Sequence, residues 1–113
     1  MKQQAELLIE QLKSSRITFS QVIDFINANY NHTPTAFKNG DAFNEETQNQ
    51  GSARIFAFAQ LNQLTKADTL LLFAEHYQSV LDQPEGKDHQ NIRQFMQHGW
   101  PGIEFSGSAL SAK

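Results

Sequence analysis

The sequence predicts a mainly α fold: about five helices around one core, with a long ordered polar loop or small β-hairpin inserted between them. Three observations carry this. Apolar residues recur at helical spacing over most of the 113 residues. Ser and Thr stand where helices would begin. One stretch, Tyr30 to Gly51, breaks the pattern. It is polar, amide-rich and aperiodic, and loops longer than roughly 12–15 residues within a domain are usually functional or disordered. Tyr30, Phe37 and Phe43 within it argue for order.

In chain order, residues 3–14 read as an amphipathic helix, with Ala5, Leu8, Ile9 and Leu12 on one face and Leu7 widening the stripe. Residues 1–15 are expected to lie at the periphery, with Ser14-Ser15 ending the helix. Thr18 is then an N-cap, Gln21 its capping-box partner, and Ile17 staples against Val22. Phe19, Val22, Ile23, Ile26 and Tyr30 form the buried stripe, broadened by Phe25. The helix fades by Asn31, because Pro34 drives Thr33 out of helical geometry. Asn39-Gly40 is the strongest turn signal, fitting a type I′ hairpin between Phe37-Lys38 and Asp41-Ala42-Phe43 or a turn inside an ordered loop.

Residues 55–61 are apolar almost all round, which suits a buried helix or a buried strand. Alanine content and Ser52 as a cap favour helix. Thr65 caps a further helix, with Asp68 in its first turn, and Leu70, Phe73, Ala74, Tyr77, Val80 and Leu81 continue it to a turn at residues 82–86. Asp88 caps a last helix, closed by Gly99. Ile103-Glu104-Phe105 alternates like a strand, and residues 106–113 read as a frayed tail. No repeat or linker divides the chain, so residues 1–113 are taken as a single domain.

Composition excludes several function classes. Nine basic residues, interleaved with acids at a net charge of −3, leave no footprint for nucleic acid. The absence of cysteine removes disulfides, thiol nucleophiles and Cys-based metal sites. No apolar run spans a bilayer and the N-terminus lacks a signal-peptide core, so a soluble, cytoplasmic protein without membrane contact is expected. Nine Phe, two Tyr and one Trp point to an aromatic core.

The four histidines show no metal spacing, and no cofactor is implied. No catalytic residue can be assigned. Two polar runs stand out: the loop amides Asn39, Asn44, Gln48 and Asn49, and the run Asp88-His89-Gln90-Asn91-Ile92-Arg93. In the second, His89 is either a general base or a recognition donor beside Arg93. Alternatively Asp88 is a cap, Asn91 binds a neighbouring loop, and Arg93 clamps carbonyls or a carboxylate. Trp100, after Gly99 and before Pro101-Gly102, reads as an anchor on the last helix.

The segments TPTAFKNG, QNQGS, EHYQSVL, DHQNIRQFM and GWPGI, in that order over residues 16–110, resemble the HopJ family, named for a type III effector of plant-pathogenic bacteria. The resemblance places motif positions on Tyr30, Thr33, Pro34, Phe37, Asn39, Gly40, Asn44, Asn49, Gly51 and Ser52. In the second half they fall on Tyr77, Val80, Leu81, Pro84, Asp88, His89, Asn91, Ile92, Arg93, Gly99 and Trp100. His32 replaces a frequent aromatic, Glu46-Thr47 a small pair, and Ala53 a position that can be Cys, so a thiol-dependent reaction is not expected here. The resemblance implies an effector-like protein, with secretion into a host cell as the alternative to the cytoplasm, and Ser14, Ser15 and Ser20 are compatible with a leader.

Together these readings give a non-enzymatic interaction protein with an unknown protein partner. The alternative is a small-ligand binder or enzyme using His89 with an Asn/Arg-lined pocket. The candidate binding residues are Tyr30, Phe37, Asn39, Asn44, Asn49, Ser52, His89, Asn91, Arg93 and Trp100. Both readings expect the Tyr30–Gly51 stretch and the Asp88–Arg93 run to touch.

Overall fold

The computed structural model describes residues 2–14 and 16–113; Ser15 lies outside them. Among the described residues there are six α-helices and two small antiparallel sheets, so the fold is α-rich with mixed character rather than mainly α with five helices. Helices α1 (Lys2–Lys13) and α2 (Phe19–Asn29) are followed by strands β1 (Tyr30–His32), β2 (Phe37–Asn39) and β3 (Ala42–Asn44). Then come α3 (Gln50–Leu61), α4 (Lys66–Leu71), α5 (Glu75–Asp82) and α6 (Gln90–His98). A 3-10 turn at Trp100–Gly102 leads to β4 (Ile103–Phe105) and β5 (Leu110–Ala112).

Helix α3 is the centre. Ala53, Ile55, Phe56, Ala57, Phe58 and Ala59 are all buried, which settles residues 55–61 as helix. Phe56 is the hub of the aromatic core, with ring centroids 5.0 Å from Phe95, 5.5 Å from Phe73 and 6.0 Å from Phe37. Ala5, Leu8, Ile9 and Leu12 bury the inner face of α1, while Leu7 is 62% exposed and does not widen that stripe. The Thr18 capping box is complete: Gln21 N–H donates to Thr18 Oγ1, and Thr18 N–H to Gln21 Oε1. Thr65 Oγ1 likewise accepts from Asp68 N–H.

Several expectations are corrected. Of the two alternatives for the stretch after Tyr30, the hairpin is the one present, as β2 and β3. Its two-residue turn is Gly40-Asp41, because Asn39 pairs with Ala42. Only Gly40 of that pair has a positive φ, +58°, which is the II′ rather than the I′ pattern. The tail is not frayed: β5 pairs with β1, and Ala109 and Leu110 are buried. Ser52 lies inside the first turn of α3, whose N-cap is Asn49. Asp88 is not a cap either, since His89 holds that place on α6.

The helix expected over residues 65–81 is broken. Leu72, Phe73 and Ala74 close 3-10-type bonds to Thr69, Leu70 and Leu71, and Ala74 then turns to φ 51°, ψ −122°. Burial explains the break. Leu70, Leu72 and Phe73 are 5%, 0% and 2% exposed, and one straight helix would point residue 72 about 200° away from residue 70. The reversal lets all three enter the core.

Candidate functional site

The two polar runs meet through asparagine side chains. In the hairpin, Asn39 and Asn44 point inward at the N-terminus of α6. Asn39 Nδ2 donates to the Asn91 carbonyl (2.8 Å) and to Asn91 Oδ1 (3.0 Å). Asn44 Nδ2 donates to Asn91 Oδ1 (3.2 Å), and Asn91 Nδ2 returns a bond to Asn44 Oδ1 (3.0 Å). Asn49 Nδ2 reaches the same oxygen at 2.6 Å. Asn39, Asn44 and Asn91 are 0%, 3% and 7% exposed, so these amides bind each other rather than solvent. Asn39 Oδ1 is buried without a partner. Turning that amide over would set it against the Asn91 carbonyl, oxygen to oxygen.

Two left-handed N-caps make this arrangement possible. Asn49 (φ 52°) and His89 (φ 51°) both precede their helices in the αL region, and neither side chain caps its own helix. Asn and His tolerate αL better than most residues. Asn49 therefore turns to Asn44, and the His89 ring comes to 5.0 Å from the His76 ring. Gln50, just inside α3, ties the approach to the hairpin: its Nε2 donates to the carbonyls of Thr35, Glu45 and Gln48, and its Oε1 accepts from Thr35 N–H and faces His32 Nε2.

Beside the amides lies an open cleft of about 540 Å³. Its lining joins both halves: Ala42, Phe43, Asn44 and Asn49 with Gly51 and Ser52 on one side, and His89, Gln90, Asn91 and Ile92 on the other. Phe19, Phe73 and His76 form its back wall. The wall is held by contacts among its own rings, with Phe19 4.7 Å from His76 edge-on and 6.0 Å from Phe73.

The predicted residues thus divide. Asn44, Asn49, Ser52, His89 and Asn91 line the cleft. Asn39 lies buried behind it, bound to Asn91. Tyr30 is a core residue, edge-on to Phe58, whose phenol oxygen accepts from Asn62. Phe37 packs between Phe56 and Phe105. Trp100 stands against Phe95 at 5.0 Å and donates its indole N–H to the Leu64 carbonyl, which is the anchor role. Arg93 clamps the 83–88 turn: Nε donates to the Asp88 carbonyl, Nη1 to the carbonyls of Gln83 and Pro84, and Nη2 to Asp88 Oδ1 (2.8 Å). That last bond is the main cause of an Asp88 carboxyl held below the usual carboxylate range. Sequence reasoning missed Phe19, Phe43, Phe73 and His76. His76 carries no signal of its own, because only the break at residues 72–74 swings it toward His89.

With the geometry in place, comparison with known proteins decides the family. The model of the HopJ type III effector protein matches residues 5–110. The chain belongs to that family. It is also similar to a crystallised protein of unknown function, VPA0580: 46% identity, TM-score 0.88, covering 96% of this chain and 92% of that one. No curated protein matches it. Among the described residues no helix is long and apolar enough to cross a membrane, and no group of three or more His, Asp or Glu is placed to hold a metal ion. HopJ membership makes the chain type III effector-like and carries no reaction with it.

Proposed function

We propose that this HopJ protein is a non-enzymatic interaction protein whose recognition surface is the cleft between the hairpin and the start of α6. The observation that supports it is how the polar groups are used. The conspicuous amides and Arg93 are spent on internal bonds, leaving beside them an open cleft walled by aromatic rings. Buried amides bonded to one another hold a surface in shape. Aromatic walls with a few polar groups suit recognition. The surface is therefore the cleft, and not the amide-rich loop as such. A photo-crosslinking residue at Phe43, compared with one at Leu7 on the exposed face of α1, tests it in cells making the protein. A discrete adduct at position 43 and none at position 7 is expected; equal labelling overturns it.

A second reading has one observation in its favour. His89, Ser52, Asn49 and Asn91 line the same cleft, as a small-ligand binder or enzyme using His89 requires. Asn39 and Arg93 do not line it, so the Asn/Arg-lined version loses two members. A metabolite screen by NMR in which shifts converge on His89, and vanish in His89→Asn, would favour this reading over the first. Delivery into a host cell is a separate proposal, resting on family membership; a translocation reporter fused to residues 1–50 tests it, and absence of transfer counts against it.

A further inference from the structure

The hairpin has one open rung, and its position follows from the ladder. Ser106 N–H donates to the Ala36 carbonyl and Gly40 N–H to the Gly102 carbonyl, so even-numbered residues of β2 face β4 (Lys38 opposite Glu104). The odd-numbered Phe37 and Asn39 then exchange bonds with Asn44 and Ala42 of β3. Phe43, between them, turns its N–H and C=O away from β2, and β3 is the edge of the sheet. Among the described residues those two groups make no hydrogen bond.

The next outward positions are at least half taken. Asp41 N–H donates to Gln94 Oε1, Glu45 N–H to Gln48 Oε1, and the Glu45 carbonyl accepts from Gln50 Nε2. Glutamines thus cap the edge on both sides and leave a single rung, a restraint on edge-to-edge aggregation. The cleft runs along this rung. Successive strand residues point to opposite faces, so a space touching all of Ala42, Phe43 and Asn44 lies at the edge itself.

We propose that the cleft takes an extended segment of a partner protein, one residue of which pairs its backbone with Phe43 while a flanking Lys or Arg enters the aromatic wall. This rests on the cleft being the recognition surface. The paired residue lies over the Phe43 ring, on the face where Lys38 and Glu104 stand opposite in register. Its two neighbours project to the other face, toward His76 and His89, with Phe73 buried behind them. Charge selects the basic side chain. Asp41, Glu45 and Glu75 adjoin lining residues and are exposed, whereas the adjoining cation, Arg93, and Asp88 neutralise each other. A long aliphatic stem over aromatic rings with its charge at a carboxylate rim is a favourable pairing.

The test pans a random dodecapeptide display library on the full chain and measures the selected peptides by fluorescence anisotropy. N-methylation at one position, next to a Lys or Arg, is expected to weaken binding about fivefold, the loss of roughly one backbone bond. Phe43→Pro removes the outward N–H without touching the ladder and is expected to weaken binding similarly beyond Phe43→Ala, which removes the ring alone, with an unchanged melting temperature. Peptides weakened by His89→Asn yet indifferent to N-methylation and Phe43→Pro would leave the cleft reading standing and overturn the strand pairing. A selection yielding no peptide sensitive to His89→Asn or Phe43→Pro overturns both. Sedimentation of the chain alone showing a dimer that Phe43→Pro abolishes would put a second copy on the edge and overturn the partner assignment.

Discussion

Replacing Asn91 by Ala removes the centre of the buried amide network. Three side-chain bonds disappear: Asn39 Nδ2 and Asn44 Nδ2 to Asn91 Oδ1, and Asn91 Nδ2 to Asn44 Oδ1. Survivors are Asn39 on the Asn91 carbonyl, Asn44 on the Phe37 carbonyl at 3.4 Å, and Asn49 on Asn44. At about 1 kcal/mol per buried bond the loss is about 3 kcal/mol. Asn39→Ala is predicted to cost less, about 1 kcal/mol, although it removes two bonds, because it also removes the orphaned Oδ1 and its desolvation cost. Asn49→Ala removes one half-buried bond and places Ala at φ 52°, about 2 kcal/mol together. Urea unfolding at constant m measures all three, and the Asn44→Ala/Asn91→Ala double-mutant cycle measures their coupling, expected at 1 kcal/mol or more in magnitude, roughly the range for residues in contact. If Asn39→Ala is as costly as Asn91→Ala, the orphan is not one, and the assignment of the network is wrong.

Further predictions concern the elements around the cleft. Arg93→Ala frees the 83–88 turn, so amide exchange should rise there first, and the Asp88 carboxyl should titrate nearer its ordinary value by NMR. Because the fold depresses Asp88, its contribution is complete above about pH 4 and is lost as pH falls through the lower folded value; Arg93→Ala should flatten that acid limb. The imidazole of His32 is held below its usual value by burial first and by Arg54 second, against an opposing bond from Gln50. Its neutral form is the folded one, so its contribution is complete above about pH 6.5 and declines as pH drops toward the folded value. Arg54→Gln should raise that titration part-way, as burial persists. Ala74→Gly should stabilise by about 1 kcal/mol by relieving φ 51°, ψ −122°. Gly40→Ala should destabilise by about 2 kcal/mol, since φ is positive and a methyl group would meet the His98 ring and the Gln94 amide.

What the sequence made legible follows the range of each interaction. The Thr18 box, the Thr65 cap and the burial of α3 on most sides depend on residues a few positions apart, and they stand in the structure. The hairpin was also legible, but its turn was placed one residue early. Gly40 binds the Gly102 carbonyl and Asn39 binds Asn91, and these distant partners fix the register. The break between α4 and α5 was not legible at all. No Gly or Pro marks it, and Ala74 adopts its φ only because Leu72 and Phe73 both gain burial by it. Strand β5 was hidden similarly: a Ser/Ala-rich tail has little strand propensity, yet β1 supplies the ladder and Leu110 an apolar side chain to bury.

The site was half legible for a related reason. The two polar runs were conspicuous, and their contact is what makes the cleft's front edge. Yet the conspicuous polar residues are mostly consumed in holding the fold, whereas the open wall comes from Phe19 and His76, backed by buried Phe73, all of which read as ordinary helix residues. Satisfied polar groups are stiff, and stiffness is what a recognition surface needs from its support. The left-handed caps at Asn49 and His89 link the two roles. Each gives up capping its own helix, and each sends its side chain across the gap, one to lock the hairpin and one to line the cleft. Asn49→Asp keeps a residue that tolerates αL at φ 52° but loses the Nδ2 donor, so it would leave α3 intact and release Asn44. Loss of cleft binding with little loss of helix would then assign Asn49 to the shape of the site rather than to the stability of its own helix.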